Sequence, residues 1–445
     1  MSNKNNSSVS NIYQLEGRVP VSRAIPFGLQ HILAMFVANI SPIIIVAGAS
    51  GVSGKQLAML IQSAMLIAGI GTLIQLFPLW RIGSGLPIVM GISFTFVSIM
   101  CYIGTNYGYG TIMGAVLIGG LIEGCLGLFA KYWIKIISPI VSASVVTAIG
   151  FSLLSVGSTS FGGGSGSENF GSVENWILGT ITLLCCILFN IFAKSYWKQL
   201  SVLFGLIVGY LVAIPMGLVD FSSLAGTSVI ALPHLMPFKM EFHLNAIISV
   251  ALIFLVSATE TIGDTQALAN SGLNRSATTK EISGSLACDG FISSLSSLFG
   301  CMPITSFSQN VGLVAMTKVV NRFTIATGAL IMILAGIFPI FGAVLATLPD
   351  AVLGGCTIMM FGTILTSGVQ MIADCGFSHR NVVIISLSLS IGIGFTTASE
   401  SGIWDIFPEL VQSVFASNVV AVVFVVSILL SCILPKNMDI QRPEK

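Results

Sequence analysis

The chain is predicted to be an all-α polytopic membrane protein, with fourteen transmembrane spans arranged as a 7+7 inverted repeat and spans 3 and 10 as broken strand–helix segments. Three observations predict this. Of its 445 residues, 54% are hydrophobic and only 8% are charged, where a soluble domain carries about 25% charged residues. Its Lys and Arg residues alternate in a pattern that fits an even number of crossings. Short stretches of its two halves echo one another at offsets near 210 residues.

The spans are apolar stretches of roughly the 20 residues that a bilayer requires. In the first half they fall at residues 26–48, 56–79, 86–103, 111–130, 134–156, 176–193 and 199–216. In the second half they fall at 244–269, 282–300, 305–319, 325–348, 351–372, 382–397 and 408–434. The segments 86–103 and 305–319 are short and irregular. The organisation is then a tail (1–23), a first repeat (24–218), a connection (219–243) with Asp220, His234, Pro237 and Glu241, a second repeat (244–434) and a second tail (435–445). Residues 1–23 are rich in Ser and Asn, carry no signal-peptide pattern, and are expected to be a short disordered cytoplasmic tail.

The cationic residues set the orientation. With both termini cytoplasmic, outside loops hold only Lys55 and Lys239, and the remainder of the 18 Lys and Arg residues lie inside. This is the positive-inside pattern, and adding or dropping one central span would erase it. The connection 219–243 is then extracellular. The repeat reads from Pro139 with Phe151 twelve residues on, and Pro349 with Phe361 twelve residues on. Ser93–Phe94 after Pro87–Ile88 likewise echoes Ser306–Phe307 after Pro303–Ile304. Seven is odd, so the second half enters from the opposite side. Transporters built this way bind substrate at the repeat interface, in discontinuous segments near the bilayer midplane.

The segment 303–318 is the clearest such break. It opens on Pro303, runs through a short β-prone polar stretch, and places Gln309 beside Asn310. A primary amide offers one acceptor and two donors, so a Gln can pair two-pronged with the lactam edge of an oxopurine or oxopyrimidine. These residues suit a neutral, flat, multiply hydrogen-bonding substrate. The plainer reading is that they cap a half-helix. Phe94 and Phe307, each next to a Ser in the two broken segments, are placed to stack on such a ring.

Four of the 17 acidic residues lie inside apolar spans: Glu123, Glu260, Asp264 and Asp289. An ionisable group there is costly unless it faces a cavity or a partner, and it is a functional candidate by default. Glu260 and Asp264 share one helical face. Two carboxylates so close in a low dielectric do not both ionise readily, which suits a proton carrier. The alternative for Asp264 is a solvated or capping acid, and for Asp289 a structural acid bonded to a neighbouring helix. Glu123 follows Gly119–Gly120 and is read as a packing or interhelical residue. His31, early in the first span, is a candidate contributor or a satisfied core group.

The rest of the sequence excludes other classes. The net charge of +1 and the lack of a basic cluster give no sign of nucleic-acid binding. The nine Cys are scattered through apolar runs without metal-ligand spacing, and read as reduced small apolar residues. No His-x-x-x-His, Gly-x-Ser-x-Gly or Cys–His arrangement points to an enzyme. No metal or cofactor is expected.

These motifs together resemble the nucleobase–ascorbate transporter family, also called the nucleobase:cation symporter-2 family. The family signature is Gln, Glu or Pro, then Asn, any residue, Gly, four of any kind, Thr, and Arg, Lys or Gly. Residues 309–318 match it at every fixed position. Gln30–His31 matches the first-span Gln-His, residues 260–264 match the eighth-span Glu-Thr-x-Gly-Asp, and Asp289 matches the ninth-span Asp. The resemblance implies a core of spans 1–4 and 8–11, a gate of spans 5–7 and 12–14, a homodimer in the cell membrane, and elevator-type proton symport of a purine nucleobase.

By position, the resemblance implies that Glu260 bonds the base, Gln309 reads it, Asn310 supports the site, Asp289, with Asp264 and His31, aids proton coupling, and Phe94, Thr95 and Phe307 complete the binding residues. Gln309 points to the bacterial xanthine and uric acid carriers rather than to uracil permeases, where Glu is usual. Thr95 leans towards uric acid, where Asn accompanies xanthine. Asn39 and Ser41 depart from the common first-span pattern of small or apolar residues. A uracil or other nucleobase permease is the alternative within the fold. An anion carrier of the sulfate or bicarbonate type is a further one, not expected to combine Glu260 with Gln309.

Overall fold

The computed structural model describes residues 9–134, 137–164, 166–194, 196–224 and 230–435. The tail expectations for 1–8 and 436–445 lie outside the described residues. The chain is mostly helical. Its first half contains α1 (Val21–Ala49), α2 (Gly54–Leu76), β1 (Met90–Ile92), α3 (Val97–Tyr107), α4 (Tyr109–Leu128), α5 (Ala130–Trp133), α6 (Pro139–Phe161), α7 (Val173–Phe192), α8 (Tyr196–Gln199) and α9 (Ser201–Ala213). Its second half contains α10 (Leu244–Leu273), α11 (Thr279–Leu298), β2 (Ile304–Ser306), α12 (Ser308–Thr317), α13 (Arg322–Ile337), α14 (Pro339–Leu345), α15 (Asp350–Cys375), α16 (His379–Thr397), α17 (Glu409–Phe415) and α18 (Val419–Ile433).

Helices dominate because an apolar environment leaves backbone groups no water to bond, and a helix satisfies them within one segment. Eight helices among the described residues are long and apolar enough to cross a membrane, or ten if each of two bent pairs counts as one. Every predicted segment coincides with a helix, a strand and helix, or a helix pair. Two expected straight spans are broken. α13 and α14 meet at 81°, and α17 and α18 at 103°. The first bend falls at Pro339, which lacks an N–H and clashes with the preceding turn. After the second, Asn418 caps α18 by accepting from Ala421 N at 3.1 Å.

The two halves repeat in packing as well as in order. α4 packs on α10 and α11, and in the same way α13 packs on α1 and α2. α7 packs on α9, and α16 on α18. α6 and α15 lie against each other, one from each half, with Pro139 in the first turn of α6 and Pro349 as the cap of α15. The α4–α11 seam is close enough to require glycine. A Cβ on Gly120 would sit 2.7 Å from Gly290 O and 2.8 Å from Ser294 N.

The strands cross at the centre. β1 and β2 pair antiparallel, with Met90 opposite Ser306, Gly91 opposite Thr305, and Ile92 opposite Ile304. Exchanging the halves maps this register onto itself, so the pseudo-twofold passes between Gly91 and Thr305. A two-stranded sheet leaves outward N–H groups, and open edges are not tolerated at membrane depth. Each edge is answered by a side chain. Met90 N donates to Thr72 Oγ1 at 2.9 Å and Ile92 N to Asn39 Oδ1 at 2.8 Å. Ile304 N donates to Ser293 Oγ at 3.0 Å and Ser306 N to Asp289 Oδ2 at 3.0 Å. The unusual Asn39 is therefore a strand brace. The main apolar core surrounds this crossing, with Met35, Phe96 and Phe254 fully buried in it.

The N-terminal expectation needs correction from residue 9 onward. Ile12 and Val19 are buried. Ile12 O accepts from Val320 N and Asn321 N at 3.0 and 3.2 Å. Asn321 also donates to Gly17 O at 2.9 Å. This stretch is bound to the start of α13, because the free donors there need acceptors.

Candidate substrate site

The candidate site lies where α10 and α11 meet the strand crossing. Glu260, on α10, is half-buried, and its Oε2 accepts from Thr95 Oγ1 at 2.7 Å. Thr95 itself is buried in the turn that follows β1. The broken segment of the first half thus meets the acid of the second. One helical turn along α10, Asp264 Oδ2 accepts from Ser308 Oγ at 2.9 Å, at the start of α12.

Of the three acids here, Asp289 makes the most hydrogen bonds. It is completely buried, and Oδ2 accepts from Thr261 Oγ1 at 2.6 Å and from Ser306 N. Its Oδ1 accepts from Gln75 Nε2 at 3.1 Å. Ser306 Oγ closes the ring by donating to Thr261 Oγ1 at 3.2 Å. Three helices and β2 are joined through this one carboxylate. Its geometry fits the structural alternative, a brace.

Two exposed faces continue from Glu260 on α10 and from Ser308 on α12. Glu260, Gly263, Ala267 and Asn270 follow one face of α10 at helical spacing, and Ala267 and Asn270 are exposed. Ser308, Gly312 and Met316 form an exposed stripe on α12. A Cβ on Gly263 or Gly312 would meet nothing within 4 Å. The signature Gly312 therefore borders open space.

The other expected residues are distributed differently. Gln309 shares no hydrogen bond with Glu260. It lines a cavity of about 140 Å³ with Lys198, Asn190 and Thr363, between α1, α7, α9 and α15. Asn310 is fully buried and His31 nearly so, and their side-chain polar atoms find no hydrogen-bond partner among the described residues. Phe94 packs edge-on against Phe361 of α15, centroids 5.4 Å apart. Phe307 is buried over Gly91, where a Cβ would lie 2.8 Å from its ring. Glu123 is buried at the α4–α11 seam without a hydrogen-bond partner among the described residues.

Gln75, Thr261, Ser306 and Ser308 were not anticipated from sequence. Gln75 carried a weak signal, being one of three Gln in an otherwise apolar span, with Gln56 and Gln62. The three hydroxyl residues are short and common in such helices, and nothing local distinguishes them.

Two broken segments crossing beside buried carboxylates, in a repeated helical bundle, define a multi-pass membrane transporter. The transmembrane domain of a cyanobacterial bicarbonate transporter, BicA, superposes with a TM-score of 0.55 at 13% identity, covering 92% of this chain and 98% of that one. SLC26A9 superposes with a TM-score of 0.61 at 13% identity, covering 92% and 66%. These similarities establish the fold. The Permease family model (Xan_ur_permease) matches residues 22–401, and the chain belongs to this nucleobase:cation symporter-2 family. It is 32% identical to the xanthine permease XanQ of Escherichia coli, over 98% of this chain and 96% of the relative. It is 37% identical to the uric acid permease PucK of Bacillus subtilis, over 83% and 86%. The nucleobase transporter PlUacP of Paenibacillus larvae is 35% identical, over 90% and 92%. The family and these relatives are transporters, not enzymes.

Proposed function

We propose that the chain imports an oxopurine nucleobase, xanthine or uric acid or both, by proton symport across the cell membrane. The observation that carries this is the Thr95–Glu260 contact at 2.7 Å, which unites the two halves at a half-buried carboxylate. The relatives' substrates support the purine class, and Gln309 and Thr95 support the same assignment from within the chain.

In this reading Glu260 accepts N–H groups of the base, and Thr95 holds the carboxylate for that task. Gln309 meets the lactam edge once the core has moved against α9 and α15, where its cavity now lies. Asn310 and His31, buried with unused hydrogen-bonding capacity, support the rearranged site. Phe94 and Phe307 flank the ring. The proton is shared among Glu260, Asp264 and Asp289. A proton on Asp289 would turn an acceptor into a donor and release Ser306 N or Thr261, coupling the proton to the position of β2.

The packing supports a core of α1–α5 and α10–α14 sliding as an elevator against a gate of α6–α9 and α15–α18. The fourteen segments then cross as a 7+7 inverted repeat, with both termini cytoplasmic, residues 219–243 extracellular, lipid around the bundle, and two copies forming a dimer through their gates.

The test is uptake of labelled xanthine in cells lacking their own purine permeases. Competition by urate, but not by uracil, and collapse with a protonophore support the reading. Uptake blocked by uracil alone, or indifferent to the proton gradient, overturns it.

A further inference from the structure

A second cavity lies outside the candidate site. At about 690 Å³, it lies between the turn after α2, the end of α4 and the start of α11. We propose that it binds the phosphate of an anionic phospholipid headgroup.

Arg81, Lys131, Lys280 and Arg322 line the cavity, against one carboxylate, Glu281. That carboxylate is already held by Arg275 from outside the lining, at 2.9 and 2.6 Å, and by Thr278 N at 2.7 Å. Lys131 and Lys280 make no ion pair among the described residues. Arg322 is paired with Glu16 at 3.5 Å, so the uncompensated positive charge of the cavity rests on Arg81, Lys131 and Lys280, beside the positive end of the 20-residue helix α11.

The wall of the cavity is also fixed in place. Leu79 and Ile82 bond reciprocally at 2.9 and 3.0 Å, closing a tight turn with Trp80 and Arg81 at its tip. Trp80 is held at φ 57°, a left-handed conformation that a bulky side chain rarely adopts. Arg81 is fixed by donating to Leu128 O at 2.6 Å, and Arg322 by donating to Gly85 O at 2.6 Å. Such strain persists only where the surroundings impose it, commonly at ligand clamps.

The rim identifies the source of the phosphate. Trp80, 79% exposed, lines the cavity, and Phe129 and Tyr132, 58% and 70% exposed, adjoin the lining residues Leu128 and Lys131 in sequence. Aromatic side chains exposed in this way sit at the headgroup level of a bilayer, and basic pockets between helices on the cytoplasmic side receive acidic headgroups. A soluble anion gains nothing from this belt, whereas a lipid places its acyl chains against it.

The experiment measures the melting temperature of the purified protein in neutral detergent with phosphatidylglycerol, phosphatidylcholine or inorganic phosphate added, since a ligand that binds only the folded state raises it. Native mass spectrometry counts bound lipid in parallel. Phosphatidylglycerol is expected to raise the wild-type melting temperature and to remain bound. The double variant Lys131→Gln/Lys280→Gln should lose at least half of that shift, and Lys131→Arg/Lys280→Arg should retain it. Unliganded melting of each variant reports its folding independently. An equal phosphatidylglycerol shift in the Gln variant overturns the proposal, as does the absence of a shift in the wild type. Inorganic phosphate or phosphatidylcholine reproducing the shift also overturns it, by removing the acidic lipid as the ligand.

Discussion

Asp289 Oδ2 accepts from the backbone N–H of Ser306 at 3.0 Å, and so fixes the edge of β2 to the middle of α11. The same oxygen takes the Thr261 hydroxyl from α10. Replacement by Ala strands a buried amide and a buried hydroxyl, each costing about 1–3 kcal/mol when left unpaired, while Gln75 Nε2 keeps Ser285 Oγ as a partner at 3.2 Å. Asp289→Ala is expected to fold poorly, and Asp289→Asn to fold with impaired transport. Thermal unfolding together with uptake tests both, and a fully active Asp289→Ala would refute the brace.

Glu260→Gln keeps the volume of the side chain and a partner for Thr95 but removes the charge. Accumulative, proton-driven uptake of labelled purine should fall to background while the protein remains in the membrane. Normal accumulation by this variant would sink the transport assignment of Glu260.

Thr95→Ala removes the donor to Glu260, whereas Thr95→Ser retains it. A hydrogen bond to a charged group contributes about 1.5–3 kcal/mol, so Ala should raise the KM for purine by about tenfold or more. Ser should stay close to wild type. Equal KM values for the two variants would show that the hydroxyl does no orienting.

Gln309→Glu places an acceptor-only group where a lactam reader is proposed. Transport should shift towards uracil-like bases or be lost, as read by competition against labelled xanthine. Unchanged purine affinity would count against direct reading by Gln309.

The sheet edges give a stability test separate from transport chemistry. Asn39→Val and Ser293→Ala each leave one strand N–H buried without an acceptor, at about 1–3 kcal/mol. Both should melt lower than wild type, and the double variant lower still, with any departure from additivity reporting coupling between Ile92 and Ile304, which face each other across the sheet. No loss in either single variant would mean that the strand amides find other partners.

Most elements were legible because membrane crossing imposes length and apolarity on each segment by itself. The break at Pro303, the repeat and the four acids inside apolar spans followed from local composition. The bend at Pro339 was visible as a residue but not as an 81° angle, since some prolines inside helices here, Pro26 and Pro42, cause no break. Their freed backbone groups lie within a long, packed helix, whereas Pro339 follows Phe338 in an extended conformation. The docking of Ile12 and Val19 was hidden by the polar composition around them.

By itself, the sequence determined that this is a helical membrane permease and that two segments are broken, and it singled out Glu260, Asp289 and the 309–318 motif as candidates. These are properties of single segments, set by hydrophobicity, backbone chemistry and motif spacing. Only the tertiary structure decided that Thr95 meets Glu260, 165 residues away in sequence, that Asp289 braces a strand, and that Gln309 faces α9 and α15. The reason is physical: a buried hydrogen bond is specified by where two elements cross, and side chains of ordinary polarity such as Thr261, Ser306 and Asn39 acquire their roles only from the unpaired atom that the crossing places before them.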